Sequence, residues 1–348
     1  MPGPPAAVAA VRVAVRAALT ARSRPGGVVL VGCSGGADSL VLAAATAFVA
    51  PRLRSPAGAV VVDHGLQTGS AGAAGRAAQQ CRELGLDPVE VVRVKVAEDA
   101  SGPEAAARQA RYAALTQTAT RLEAAVVLLG HTRDDQAEQV LLGLSRGSGT
   151  RSLSGMPFAR PLHPGSPVLL VRPLLGLPRS LTVQACRELG LDAWQDPHNA
   201  DPRYARVRAR RALSVLEDSL GPGLSAALAR SADLLRDDAA ALDAAADTAY
   251  GSLGQPPWSV HALGALPAGV RRRLWQRLAQ AGPAPSATLT SGPPTSGPLT
   301  VGSLTSEHLR SMDALVADWH GQGPVVLPGG VRARRRGGRV WLEGSAPS

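Results

Sequence analysis

Aromatic side chains are scarce in this 348-residue sequence, at 3% of the total, so its 45% of hydrophobic residues must build a core from Ala, Val and Leu. Lysine is nearly absent. Lys95 stands alone, and arginine supplies the rest of the 37 basic residues, which exceed the 27 acidic ones by a formal net charge of +10. A GC-rich genome would favour Arg over Lys but does not account for the excess, and the planar guanidinium fork bonds two phosphate oxygens at once, so the balance points to an anionic partner such as nucleic acid. The cysteines, Cys33, Cys81 and Cys186, are odd in number, far apart and form no CxxC pair. That speaks for a reducing compartment and against a zinc site or an iron–sulfur cluster. Long apolar runs are also missing: Leu40 to Ala50 is too short to cross a bilayer. Arg12 and Arg16 interrupt the N-terminal apolar stretch, which therefore does not read as an export signal. The expected location is the cytoplasm, and the length favours two domains.

From Gly27 to about Leu191, short Val- and Leu-rich runs alternate with alanine-rich stretches of helix length: VVLVG, AVVVDHG, VEVVRVKV, AVVLLGH and PVLLVRPLL. Nearly continuous apolar strands separated by helices predict a parallel sheet covered on both faces. Ser101 with Glu104 reads as a capping box that opens one of those helices. Ligands of such sheets collect at the carboxyl ends of the strands, which would gather Ser34 to Ser39, Asp63 with His64, and His131 to Glu138 in one crevice. Beyond about Ala212 the texture changes. A stripe of Leu224, Leu228, Leu235 and Leu242, followed by RRRLWQRLAQ, predicts a smaller, mainly helical domain over 212–348 after a catalytic domain over 1–211. Residues 281–306, rich in Pro, Gly, Ser and Thr, are expected to form a flexible segment. The arginines of 332–339 read as solvated or as RNA contacts.

The stretch VGCSGGADSL, residues 31–40, places adjacent glycines between a strand and a helix, so that successive N–H groups and the helix dipole face one concavity. It is neither GxxxxGK[ST], whose lysine is absent, nor GxGxxG. Farther on, GHTRDDQAE closes a strand with Gly130 and His131, places Asp134 to cap the next helix, and sets Asp135 and Glu138 three residues apart on its first turns. Two carboxylates on one face suit a cation, either a metal or an ammonium group. Arg146 to Gly149 form a second anion-friendly turn. Glu104, Arg108 and Arg111 share one helical face.

SGGADS (34–39) resembles the SGGxDS loop of the PP-loop ATP pyrophosphatases, which cleave ATP to AMP and pyrophosphate. Joined to DHGL (63–66), EAAAR (104–108), GHTRDDQAE (130–138), RGSGxxxLxGM (146–156), RPLL (172–175) and DPHNADPRYARVRAR (196–210), it is similar in order and spacing to the tRNA(Ile)-lysidine synthetase family over roughly 27–211. The resemblance implies an α/β, Rossmann-like (adenine nucleotide alpha hydrolase-like) fold. It also implies ATP-dependent attachment of L-lysine to carbon 2 of the wobble cytidine of tRNA(Ile) with a CAU anticodon, through an adenylated cytidine. By motif position, Ser34, Gly35, Gly36, Ala37, Asp38 and Ser39, with Asp63 and His64, would bind ATP, and Asp38 would hold Mg2+. Arg108 would offset phosphate charge. Asp135 and Glu138 would bind the lysine ammonium and take its proton, with help from His131. Arg146, Arg203, Tyr204, Arg206, Arg208 and Arg210 would contact tRNA. Relatives commonly read Tyr-x-Arg-Asn-x-Ile-Arg where this chain has Val207 for the Asn and Ala209 for the Ile, so no side-chain hydrogen bond is expected from residue 207. A homodimer remains compatible with the sequence.

Other readings exist. A tRNA thiolase of the same superfamily usually carries cysteine pairs, an amide-forming synthetase usually brings an ammonia source, and a non-catalytic RNA binder has no need of an acid cluster beside the loop.

Overall fold

The computed structural model describes residues 3–23, 26–65, 69–94, 103–281 and 304–344. It divides into two compact units between Leu234 and Leu235. The first contains α1 (Ala6–Arg22), β1 (Val28–Cys33), α2 (Ala37–Val49), β2 (Ala57–Asp63), α3 (Ser70–Glu83), β3 (Val89–Arg93), α4 (Pro103–Arg121), β4 (Ala124–Leu129), α5 (Arg133–Leu144), α6 (Thr150–Leu153), β5 (Ala159–Pro161), β6 (Leu169–Val171), α7 (Arg179–Glu188) and α8 (Ala205–Leu220). The division falls inside α9 (Leu224–Leu253).

Side chains of a strand alternate between faces, and here both faces are apolar. Val29, Val31, Val126 and Leu128 pack into a core with Leu19 of α1, Leu40 and Leu42 of α2, Ala77 of α3 and Ala185 of α7. The intervening Leu30, Val60, Val127 and Leu129 face the other way, against Leu115 and Ala119 of α4. The six strands run in the order β3-β2-β1-β4-β6-β5, parallel throughout except for the antiparallel edge strand β5. From β1 the chain winds outward through β2 to β3, then returns to β4 on the other side of β1. This reversal leaves a crevice at the carboxyl ends of β1 and β4, where a parallel sheet binds ligands.

Two local expectations are revised. In PVLLVRPLL only Leu169–Val171 is strand, because Arg172 turns inward and is 1% exposed. The short partner β5 carries no period-two signal of its own. The helix opened by His131 is capped by Thr132, not Asp134: Thr132 and Asp135 form a reciprocal capping box. Ser101 and most of 281–306 lie outside the described residues, as does the side chain of Glu104.

The second unit holds β7 (Trp258–Ser259), α10 (Val260–Gly264), α11 (Ala268–Ala281), α12 (Ser306–Ala317), β8 (Val325–Val326), β9 (Arg332–Arg336) and β10 (Arg339–Glu343). Its helices are joined by a small antiparallel sheet, β7-β10-β9-β8, not expected from the mainly helical reading of the sequence. The core closes around Trp275, Leu274, Leu263 and Met312. A bidentate pair, Arg271 on Asp313 at 2.5 and 3.1 Å, is buried within this unit.

Candidate active site

The loop after β1 is tied to itself. Ser39 Oγ donates to the Gly36 carbonyl at 2.9 Å and accepts the Ser34 N–H at 3.1 Å, while the two serine hydroxyls lie 3.2 Å apart. Gly35 has φ +82°, and a Cβ there would stand 3.1 Å from that of Ala77 on α3, so only glycine combines this turn with that approach. Gly36 occupies the N-cap of α2, and Ala37 and Asp38 are its first residues. The free N–H groups and positive dipole end of α2 therefore open on the crevice, the arrangement that holds phosphate. Gly130, at the end of β4, lets that strand abut the loop: a Cβ there would lie 3.0 Å from the carbonyl carbon and oxygen of Asp38.

Three carboxylates converge beside this loop on one guanidinium. Arg179, the first residue of α7, directs Nε at Asp38 (3.4 Å), Nη2 at Asp135 (2.6 Å) and Nη1 at Glu138 (3.2 Å). Arg210 of α8 reaches the same Glu138 oxygen with Nε at 2.7 Å. Thr182, one turn along α7, donates its hydroxyl to Asp38. Thr132 donates both N–H and hydroxyl to the second oxygen of Asp135, at 2.7 and 2.9 Å. Glu138 is 2% exposed, and its Oε2 is buried with no hydrogen-bond partner. Burial would raise the Asp135 carboxyl, but Arg179 and the Thr132 donors hold it below the usual carboxylate range. For Asp38, burial prevails and its pKa lies above the usual value in spite of Thr182 and Arg179. The same acids push the Arg179 guanidinium up against the opposing effect of burial. Asp134 is free of capping its own helix and accepts the N–H of Arg179 at 2.8 Å.

The other wall of the crevice is basic. His131 has its Nδ1 buried and unpartnered. Burial drives its pKa down to about 3, aided by Arg172, Arg111 and Arg206 and opposed by Asp135. The ring is therefore neutral at physiological pH and available as an acceptor. Arg108 does not join the acid cluster. Its guanidinium lies 5.0 Å from the Tyr112 ring centre, that of Arg160 lies 5.3 Å from the same ring, and Arg108 Nη2 is 3.4 Å from the phenol oxygen. Burial lowers Arg111, and the neighbouring Arg108, Arg206 and Arg172 lower it further, so a concentration of positive charge faces His131. Asp63 accepts the Gly65 N–H at 3.0 Å, and His64 is lowered by burial and by Arg111.

The segment after α7 folds back over the loop. Asp192 exchanges two hydrogen bonds with Gln80 of α3, and Trp194 donates its N–H to the Gly35 carbonyl at 2.9 Å. At the start of α8, Val207 and Ala209 face inward at 7% and 5% exposure, which accounts for apolar residues at these positions. Arg203 pairs with Asp201 at 2.7 Å, and Arg208 donates to the Pro202 and Arg203 carbonyls at 2.8 Å each. Tyr204 lies 5.3 Å from the His198 ring. Arg146 is exposed on the turn after α5, and no contact links it to the acid cluster among the described residues. Residues 34–39, 131, 135, 138 and 210 are thus brought to one crevice, whereas Arg108, Arg146, Arg203 and Arg208 lie outside the acid cluster.

Arg179 and Thr182 carry no motif signal. The available clue is electrostatic: an arginine at the first position of a helix opposes the macrodipole and needs compensating acids.

A sequence profile of the PP-loop domain matches residues 10–216. The chain is 52% identical over 344 residues to a tRNA(Ile)-lysidine synthase of Thermobifida fusca, covering 98% of each. It is 48% identical over 369 residues to the Streptomyces coelicolor enzyme of that name, covering 98% of this chain and 99% of the other, and 47% identical over 312 residues to that of Mycobacterium bovis, covering 88% and 86%. Among solved structures it is similar to the U34-tRNA thiolase NcsA from Methanococcus maripaludis, with a TM-score of 0.56 and 20% identity over 66% of this chain and 80% of that one. That likeness concerns the fold.

Proposed function

The chain belongs to the tRNA(Ile)-lysidine synthase family of PP-loop proteins, and from that premise we infer that it is a ligase that uses ATP to join L-lysine to a cytidine of tRNA(Ile). The observation that supports this reading most strongly is the placement of Asp135 and Glu138 beside the phosphate loop: a nucleotide activated at one end of the crevice meets a cation held at the other.

The reaction follows from the groups present. An amide-like oxygen on carbon 2 of cytosine is a poor leaving group. Attack of that oxygen on the α-phosphorus of ATP releases pyrophosphate and converts it into a phosphate ester that leaves as AMP. The loop Ser34–Ser39 cradles the departing pyrophosphate with N–H groups and serine hydroxyls. Asp38, whose oxygens otherwise face Thr182 and Arg179, is the carboxylate that would hold Mg2+, an ion that commonly takes one or two carboxylates together with substrate phosphates. The bound ion would neutralise phosphate charge. Asp63 and His64, at the end of β2, line the nucleotide side. The positive wall of Arg108, Arg111, Arg172 and Arg206 stabilises negative charge on the phosphates.

Lysine arrives as an ammonium ion and must lose a proton before its nitrogen attacks carbon 2. Asp135 and Glu138 bind the cation and orient it, and a carboxylate or the neutral His131 accepts the proton. Arg203, Tyr204, Arg206 and Arg208 track the tRNA backbone, with the ring as a stacking platform. The tRNA carries the CAU anticodon, and its modified cytidine reads AUA in place of AUG. ATP, lysine and tRNA meet in the cytoplasm, and among the described residues no helix is long and apolar enough to cross a membrane.

The test is incubation with ATP, labelled lysine and total tRNA. Label entering tRNA(Ile), with AMP and pyrophosphate formed in equal amounts, is the expected result. Absence of label from tRNA while ATP is consumed would reject the reading.

A further inference from the structure

We propose that Arg179 is a positioning and specificity residue that sets the charge of the amine seat, so that it accepts one singly charged ammonium group and not a divalent metal ion. The proposal rests on the assignment of Asp135 and Glu138 to lysine.

Before nucleotide and its ion bind, Asp38, Asp135 and Glu138 bring three formal negative charges, while the side chains of Arg179 and Arg210, in direct contact with them, bring two formal positive ones. One negative charge is left over, and one buried acceptor, Glu138 Oε2, has no donor. A single ammonium group supplies both the missing charge and the missing donor. Without Arg179 the same acids and Arg210 would carry a surplus of two, the charge that a divalent cation neutralises, and carboxylate oxygens are the ligands that hard divalent cations prefer.

Geometry adds a second reason. Arg179 spends each of its three nitrogens on a different acid, at 3.4, 2.6 and 3.2 Å. The planar fork thereby fixes Asp135 and Glu138, on α5, relative to Asp38, on the phosphate loop. Its backbone N–H is anchored on Asp134. A lysine ammonium, a point charge with three rotatable donors, cannot reproduce this fixed spread of directions. Fold stability alone does not account for the arrangement: buried ionic groups are often replaced by apolar ones without loss, and a buried uncompensated charge is costly. The acids therefore await a cation, and Arg179 determines how much charge that cation may bring.

The test compares the full-length wild type with Arg179→Gln and Arg179→Lys by two readouts. In the first, the KM for lysine is measured separately from the rate of lysine-independent pyrophosphate release from ATP and tRNA. In the second, calcium chloride is titrated calorimetrically into the proteins without ATP. Arg179→Gln is expected to raise the lysine KM at least tenfold, a larger factor than its loss in the rate of pyrophosphate release, and to create a calcium site that lysine displaces. Arg179→Lys keeps the charge but loses the fork, so it should raise the lysine KM while binding no calcium. An unchanged lysine KM in both variants, equal losses in both half-reactions, or equal calcium binding by Arg179→Gln and Arg179→Lys would overturn the proposal. If Arg179→Gln does not fold, Arg179→Lys decides: an unchanged lysine KM, or calcium binding, overturns it. Failure of the wild type itself to incorporate lysine would reject the functional reading instead.

Discussion

Asp135 and Arg179, 44 residues apart in sequence, are joined at 2.6 Å, while the other oxygen of the same carboxylate closes the cap of α5 on Thr132. One side chain therefore caps the start of α5, contacts the first residue of α7 and, on the proposed function, forms part of the amine seat. Its two oxygens have separate partners, so its structural and chemical roles can be separated by substitution.

Asp135→Asn keeps an oxygen for the cap but removes the charge. The expected loss of fold stability is about 1–3 kcal/mol, because Arg179 keeps Asp38 and Glu138 but loses one buried charged partner. Incorporation of labelled lysine should fall by about 100-fold or more, the scale of a lost proton acceptor. Lysine incorporation at the wild-type rate would remove Asp135 from the amine site.

Gly130→Ala places a methyl group 3.0 Å from the Asp38 carbonyl and 3.2 Å from the Ser39 Cα. The obstacle is backbone, so β4 and the loop must move apart. The cost should be about 1–3 kcal/mol, as for other overpacked sites. Thermal melts with and without ATP are expected to show a lower midpoint and a smaller shift on adding nucleotide; identical curves for variant and wild type would contradict this packing.

The acid limb of the stability curve should carry the signature of His131. Its folded pKa lies near 3, against 6.5 for an unperturbed imidazole. Between these values the unfolded chain holds the additional proton, so stability falls as pH drops below 6.5, by at most about 1.4 kcal/mol per pH unit from this residue. Above pH 6.5 the effect is absent. Urea midpoints between pH 4 and 7 should therefore vary less steeply in His131→Asn than in wild type, and parallel profiles would show that the ring is not buried neutral.

Replacing Arg203, Arg206 and Arg208 together by glutamine should weaken tRNA binding. Each lost phosphate contact is expected to reduce the slope of log K against log salt by about 0.7–0.9. Arg210 is left in place because Glu138 holds it at 2.7 Å. Filter binding across a salt series measures the slope, and an unaltered slope would remove these arginines from the RNA path.

Much of the site was legible because it is local. The turn SGGADS, the strand-ending Gly130 and His131, and the spacing of Asp135 and Glu138 each follow from a few adjacent residues and the geometry of a strand or helix. The apolar runs predicted the parallel sheet for the same reason: burial on both faces demands an unbroken run. Legibility was lost where partners are remote. Its position predicts that Asp134 caps α5, yet it accepts the N–H of Arg179. Arg210, grouped with RNA-facing arginines by its spacing, turns onto Glu138. Arg172, read as part of an apolar run, turns inward and is 1% exposed. The edge strand β5 is three residues long and too short to show a period.

The sequence by itself thus determined the sheet, the phosphate loop and the types of group that meet at its edge, since these depend on backbone geometry and on periods of a few residues. Only the tertiary structure decided which cation faces which acid. Arg179 is one of 37 basic residues in the chain. What distinguishes it is the packing of α7 against α2, which sets one guanidinium among Asp38, Asp135 and Glu138. Coulomb energy varies with distance and burial, and neither is a property of the chain until it has folded.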